Sequence, residues 1–212
     1  MAGALDRGIY LASRSPRRRE LLEQIAVRYH LLLFRARPGR QADVDEEPLA
    51  NEAPAAYVER IARVKAEAGW KSLLQRDLAR APLLSADTTV AVDATILGKP
   101  ADRQQAAEML GALSGRRHEV LSAVALKSED RLVSALSVSE VAFKKLSQEE
   151  IREYVASGEC DDKAGAYAIQ GRAARFIIEL RGSYSGVMGL PLYETAELLE
   201  RVAGSRERRN PH

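Results

Sequence analysis

The run Leu84–Pro100, LSADTTVAVDATILGKP, leaves few choices other than a β-hairpin. Ala86, Thr88, Val90 and Val92 alternate at the strand period, Asp93-Ala94 is a turn-like pair, and Thr95, Ile96 and Leu97 form a second short apolar run. Asp87 is the odd residue. Its neighbours are apolar or β-branched and at least half buried in such a strand, where a carboxylate needs a partner, hydrogen bonds or a metal. Gly98-Lys99-Pro100 can hold a cation on a stiff loop close to where Asp87 points. A carboxylate and a lysine on one rigid support could act on a phosphate or on a metal-bound water. A buried Asp–Lys pair that only fixes the hairpin is the rival reading, and on these residues alone the two stand equal.

The 212 residues make one large domain or two small ones, and 46% apolar with 29% charged residues is the balance of a globular chain with a real core. Disordered and collagen-like classes are excluded. The 32 basic and 30 acidic residues are mixed along the chain, for a net charge of +2. Bulk charge therefore argues for neither nucleic acid nor an anionic membrane, and any anion site has to be local. Cys160 is the single cysteine and no Cys/His spacing suits zinc, which fits a reducing compartment. Met1 to Ala12 contains Asp6 and Arg7 and no long apolar core, so it reads as neither a signal peptide nor a membrane span. The expected location is cytoplasmic.

Strand-like and helix-like segments alternate along the chain. Ile9 to Ala12 is a short apolar run ending at Ser13-Arg14-Ser15-Pro16, after which Leu21, Leu22, Ile25 and Ala26 give a helical stripe. Ser15 as N-cap and Pro16 at the first helical position are start signals. Arg17, Arg18 and Arg19 then fill a first turn where the macrodipole favours negative charge. An anion bound at the helix end would remove that conflict; a solvated basic face is the plainer alternative. Tyr29 to Phe34 reads as a second strand and Arg35 to Leu49 as a mobile loop ending in Asp43, Asp45, Glu46 and Glu47. Glu52 to Ala68 is helical with Gly69 as terminator, and Lys65 sits near its end. Asp102 with Gln105, and Ser147 with Glu150, form capping-box starts for two more helices. Glu119 to Leu126 and Arg131 to Phe143 alternate as an antiparallel pair, and Arg175 to Leu180 is a further strand. Gly182 to Gly189 reads as a loop, Pro191 opens a last helix, and the basic end from Ser205 to His212 is expected to fray. No repeat or linker divides the chain. The expected architecture is one mixed α/β domain over residues 1–204, with a twisted central sheet, flanking helices and a cleft between two lobes.

Several chemistries drop out. There is no phosphate-loop motif and no G-x-G-x-x-G fingerprint, and Gly182-Ser183-Tyr184-Ser185-Gly186 puts Tyr184 where a nucleophile elbow needs its nucleophile. His30, His118 and His212 suit no Ser-His-Asp arrangement and read as structural or solvated. The remaining set is carboxylates at Asp87 and Asp162, cations at Arg17, Arg18, Lys65, Lys99 and Lys163, and amide or hydroxyl groups at Ser13, Ser15, Thr88 and Gln170. It suits a phosphate ester or anhydride with a divalent metal, where catalysis is chiefly positioning and charge neutralisation.

Leu11 to Arg18, Ala86-Asp87-Thr88, Leu97 to Pro100, Asp162 to Tyr167 with Ile169-Gln170-Gly171, and Gly182-Ser183-Tyr184 with Val187 to Pro191 resemble, in order, the motifs of the Maf family of nucleoside triphosphate pyrophosphatases. The resemblance covers about Ile9 to Val202. It implies a fold of the Maf/inosine triphosphatase kind and hydrolysis between the α and β phosphates to a monophosphate and pyrophosphate. It also implies Asp87 as proton acceptor, and Arg17, Thr88 and Gln170 as the residues that set base specificity. Gln170 in its motif is similar to the branch acting on dTTP and UTP.

One departure concerns the acidic run. Related sequences carry it directly after the second strand, whereas here Arg35, Ala36, Arg37, Pro38 and Gly39 intervene before Asp45 and Glu46. Those two must loop back if they are to bind a metal. The expected catalytic set is Asp87, Lys99 and Lys65; the substrate set is Arg17, Thr88, Gln170, Ser13, Arg18 and Lys163. The metal, Mg or Mn, would fall to Asp87, with Asp45, Glu46 and Asp162 as candidates. The partner is a small-molecule nucleotide, with a second copy of the chain left open, and neither nucleic acid nor membrane is expected. A nucleotide-sensing or nucleic-acid-binding regulator of cell division is the alternative, weakened by an aromatic content of 5% and by the lack of a broad basic stripe.

Overall fold

The alternating run around Asp87 becomes the spine of the molecule. In the computed structural model, which describes residues 8–33, 44–129 and 131–207 with side chains to 203, β3 (Leu83–Val92) lies inside a seven-stranded mixed sheet. β1 (Ile9–Leu11) runs parallel to both β2 (Tyr29–Leu31) and the start of β3. β4 (Thr95–Leu97) folds back antiparallel on the end of β3. β5 (Arg117–Ser128), β6 (Arg131–Phe143) and β7 (Ile177–Arg181) continue the sheet antiparallel, in the order β2-β1-β3-β5-β6-β7. The hairpin closes at Asp93 and Ala94, both left-handed (φ 49° and 61°), the turn hand that matches strand twist.

β5 pairs with β3 along one whole edge, from Leu83 to Ala91. On the other edge β1 reaches only Leu83 and Leu84, and β4 only Val90 to Val92. Ser85 to Thr89 thus have no strand partner there among the described residues. That gap holds Ala86-Asp87-Thr88, and the cleft opens at it.

Alternation along β3 sends its side chains to different layers. On one face α2 (Pro54–Gln75) packs Tyr57, Val58, Ile61, Ala66, Trp70 and Leu73 against Leu83, Ala91, Leu121 and Ala123. On the other, α1 (Pro16–Gln24) and α6 (Leu192–Glu207) set Leu22, Leu198 and Val202 against Ile9, Leu11, Leu84 and Ala86. Beyond the gap, α3 (Arg103–Leu113) and α4 (Gln148–Ala156) cover Val90, Val120, Val141 and Phe143 with Leu110, Leu113, Ile151 and Tyr154. Each such side chain contributes ~1.5–3 kcal/mol on burial. These cores share one sheet and give the expected single α/β domain.

Several boundaries differ from expectation. α2 does not stop at Gly69 but runs to Gln75. The glycine is there for closeness: a Cβ would lie 2.9 Å from Leu83 Cδ1 and 3.3 Å from the Ala12 Cβ, so it lets the helix press on the sheet. The Gly182–Gly189 loop contains a short helix, α5 (Tyr184–Met188), capped by Ser183, whose hydroxyl accepts the Gly186 N–H. α1 ends before Ile25 and Ala26, the latter left-handed at φ 55°, and the Ser15 side chain makes no cap bond. The Ser147–Glu150 box is reciprocal, while Gln105 reaches past Asp102 to the Ala101 N–H. β7 starts at Ile177, after a 3₁₀ turn over Arg172–Phe176. α6 continues through 205–207, into the expected tail. Asp6, Arg7, Phe34, residues 35–43 and residues 208–212 lie outside the described residues.

Candidate active site

Ser85, Asp87 and Thr89 share the face covered by α2, and the Ser85 hydroxyl donates to the Ala62 carbonyl of that helix (2.6 Å). Three residues on along α2, Lys65 brings Nζ to 2.7 Å from Asp87 Oδ1 and 3.0 Å from Glu46 Oε1. The Lys65 and Asp87 side chains are 15% and 11% exposed, so this is a largely desolvated pair. Glu46 does return to the site despite the insertion before it. The start of α2 holds it there: Tyr57 Oη donates to the Glu46 carbonyl (3.0 Å), and Arg60 grips Glu52 at 2.6 and 2.7 Å while donating to the Glu47 carbonyl (3.0 Å). Glu52 in turn accepts the Leu49 N–H at 3.0 Å. Burial, then the nearby Asp87 and Glu46 charges, push the Tyr57 hydroxyl up to about 12, so it stays a donor. Asp45 is used locally, accepting the Glu47 N–H, and does not line the cleft.

Thr88 faces the opposite side of β3, yet lines the same cleft, because the unpaired edge lets the cavity wrap around the strand. Its Oγ1 is 2.8 Å from Ser122 Oγ, directly across the β3–β5 register. Arg18 is tied to the protein by two of its nitrogens, Nε to the Gly189 carbonyl (2.8 Å) and Nη1 to Ser13 Oγ (3.3 Å). Burial lowers its pKa, with Asp87 acting against the shift. Of the arginines expected to meet an anion at the start of α1, Arg18 thus also acts as a brace between α1 and the segment after α5.

The far wall comes from the segment after α4. Asp162, Gly165 and Ala166 are all left-handed (φ 57°, 66° and 59°), a backbone path held by the Gly165 N–H on the Gly98 carbonyl at 3.1 Å. A Cβ on Gly165 would fall 2.8 Å from Val90 Cγ2, so only glycine lets the turn seat on β3. The turn delivers Asp162, Lys163, Tyr167 and Gln170 to the cleft, which Ser13, Arg17 and Lys99 also line. Burial lowers the Lys163 pKa, and Arg17 and Lys99 lower it further against the pull of Asp162 and Asp161. Arg17 is likewise lowered by burial, with Glu20 opposing. Crowded, partly desolvated cations of this kind are relieved by a bound polyanion.

The cleft encloses about 460 Å³. Among the described residues no three acidic, histidine or cysteine side chains cluster as a metal cage. Asp87 and Glu46, converging on one ammonium, nevertheless supply hard oxygen donors, and one or two carboxylates completed by substrate phosphates is the usual way to hold Mg²⁺. The donor set fits such an ion. His118 is 2% exposed beneath this wall, its Nε2 2.8 Å from Tyr167 Oη, and burial drops its pKa to about 4, so it is structural as expected. Ser122, Arg60 and Tyr57 were not legible as site residues: each works through a contact that only the tertiary pairing creates.

Acids, cations, hydroxyls and an amide line one cleft at a broken sheet edge of an α/β protein, a set whose chemistry suits a phosphoanhydride. The chain belongs to the Maf family, whose model, described as Maf-like protein, matches residues 8–202. It is 58% identical to the dTTP/UTP pyrophosphatase of Nitrosomonas europaea over 192 residues, 91% of this chain and 93% of that one. It is also 58% identical to the dTTP/UTP pyrophosphatase of Aromatoleum aromaticum (91% and 94% covered) and 54% identical to that of Nitrosospira multiformis (94% and 96%). No helix among the described residues is long and apolar enough to cross a membrane.

Proposed function

We propose that this protein is a nucleoside triphosphate pyrophosphatase that hydrolyses dTTP and UTP to the monophosphate and pyrophosphate. The observation that carries the reading is Asp87, a largely desolvated carboxylate held by Lys65 at the unpaired edge of β3 in a cleft that Arg17, Arg18, Lys99 and Lys163 also line. Asp87 accepts the proton of the water that attacks the α phosphorus, a role typically worth ~10²–10⁴-fold. Lys65, 2.7 Å from its Oδ1, holds that carboxylate in place. Lys99 and Lys163 bind the phosphate oxygens and stabilise the pyrophosphate as it leaves. Asp87 and Glu46 would hold a divalent cation, Mg or Mn, whose chemistry is to neutralise phosphate charge and polarise the phosphoryl group.

Base choice falls to Gln170, Thr88 and Arg17. The pairing edge of uracil and thymine offers an acceptor, a donor and an acceptor, which a side-chain amide can meet with two bonds in one plane. The test is a screen of the common ribo- and deoxyribonucleoside triphosphates with Mg²⁺ or Mn²⁺, assaying pyrophosphate and orthophosphate separately. The expected result is pyrophosphate from dTTP and UTP well ahead of the cytosine and purine nucleotides. A purine as the best substrate overturns the base assignment, and orthophosphate as the first product overturns the bond assignment.

A further inference from the structure

A short relay of hydroxyls behind the pocket wall has its proton order set by its far end. Ser122 is fully buried, and its Oγ lies 2.6 Å from the carbonyl oxygen of Gly186, which can only accept. The one proton of Ser122 is spent there. The opposite order would place two lone-pair oxygens 2.6 Å apart with no proton between them. In the 2.8 Å contact between Thr88 Oγ1 and Ser122 Oγ, Thr88 is therefore the donor. The other protein oxygen near Thr88, the Gly189 carbonyl, is 3.4 Å away, too far to fix the rotor without Ser122. With Ser122 as its acceptor the Thr88 hydroxyl turns its proton into the protein and only lone pairs toward the cleft.

We propose that Ser122 is a positioning residue for base choice: its buried hydroxyl makes Thr88 an acceptor toward the substrate. This rests on the reading above that Thr88 meets the base. The chemistry separates the pyrimidines at one atom. Uracil and thymine carry a ring N–H on the pairing edge, which an acceptor satisfies; cytosine carries a lone pair there, which an acceptor repels. Gln170 cannot make that distinction alone, because its amide presents the opposite pattern after a flip. A hydroxyl whose rotor is locked from behind cannot flip, so the relay supplies a fixed polarity that the amide lacks. The register gives it rigidity: Thr88 and Ser122 are direct partners in adjacent central strands, and Gly186 belongs to α5, which is locked by the Ser183 cap.

The test compares kcat/KM for UTP and CTP in the wild type, Ser122→Ala, Thr88→Val and the double variant, with thermal melts on each. Ser122→Ala frees the Thr88 hydroxyl to turn its proton outward, and the UTP/CTP ratio is expected to fall ~10-fold, the scale of one mispaired buried polar group. Thr88→Val lowers the ratio too, and adding Ser122→Ala to it changes the ratio no further. A merely structural Ser122 would shift the melts and leave the ratio alone. Should Ser122→Ala fail to fold, Ser122→Cys keeps the volume with a poor acceptor, and the same fall in ratio is expected. A ratio unchanged by Ser122 substitution, or effects that multiply in the double variant, overturns the relay alone. A wild type with no preference for UTP overturns the base reading, and the relay with it.

Discussion

Lys65 Nζ lies 2.7 Å from Asp87 Oδ1 and 3.0 Å from Glu46 Oε1, so one ammonium joins a strand carboxylate to a loop carboxylate. Removing the cation leaves Asp87 desolvated and unpaired, a change that costs on the order of 3 kcal/mol for a buried pair. Lys65→Met is expected to lower both kcat and the melting temperature. Because two oxygen donors are left facing one another, added Mn²⁺ should recover part of the lost melting temperature. A melt indifferent to the substitution contradicts the pairing.

The strap that returns Glu46 to the site predicts a dependence on residues that touch no substrate. Arg60→Ala loses the grip on Glu52 and the Glu47 carbonyl. It is expected to cut kcat/KM to about the same extent as Glu46→Gln, with the double variant no worse than either single one, the signature of a shared interaction. Additive losses in that cycle would sink the strap.

The first-turn arginines of α1, alike in sequence, should part company in stability. Arg17→Ala removes a cation from a helix N-terminus and is expected to raise KM while leaving the unliganded melt unchanged or slightly higher, by ~0.3–1 kcal/mol. Arg18→Ala strips the buried Gly189 carbonyl of its guanidinium donor. Its expected cost is ~1–3 kcal/mol of stability, read by denaturant titration. Equal effects of the two substitutions would contradict the brace.

His118 predicts an acid-side loss of stability. Its pKa is about 4 in the fold, below the 6.5 of a free imidazole, so the unfolded chain binds the extra proton between those values. The contribution is complete above pH 6.5 and is lost as pH falls toward 4, up to ~3 kcal/mol for a shift of this size. Denaturant titrations at pH 7 and pH 4.5 measure it. His118→Phe, which keeps a ring against Phe143 and Tyr167, should flatten the difference; an undiminished difference assigns the acid loss to other groups.

What could be read from the sequence was what is local. The hairpin at Asp93-Ala94, the reciprocal cap of Ser147 and Glu150, and the conflict between Asp87 and its buried strand all lie within a few residues of chain. Gly69 misled because a terminator and a close-contact glycine look the same until Leu83 is placed against it. The return of Glu46 depends on Tyr57 and Arg60, whose sequence signal is only that of an amphipathic helix. Ser122 had no signal, being one small polar residue in a long strand; its meaning comes from the register that sets it opposite Thr88. The unpaired edge of β3 is likewise a property of where β1 stops and β4 begins, not of β3 itself.

The role proposed for Asp87 is to take a proton from the attacking water. The amide of Asp87→Asn is close in shape but cannot accept that proton, and it keeps a hydrogen-bonding oxygen for Lys65. The deciding measurement is kcat of Asp87→Asn on dTTP at saturating metal, with nucleotide binding and melting temperature followed in parallel. The expected result is a fall of ~10²–10⁴-fold in a folded protein that still binds dTTP. A kcat close to that of the wild type would contradict it.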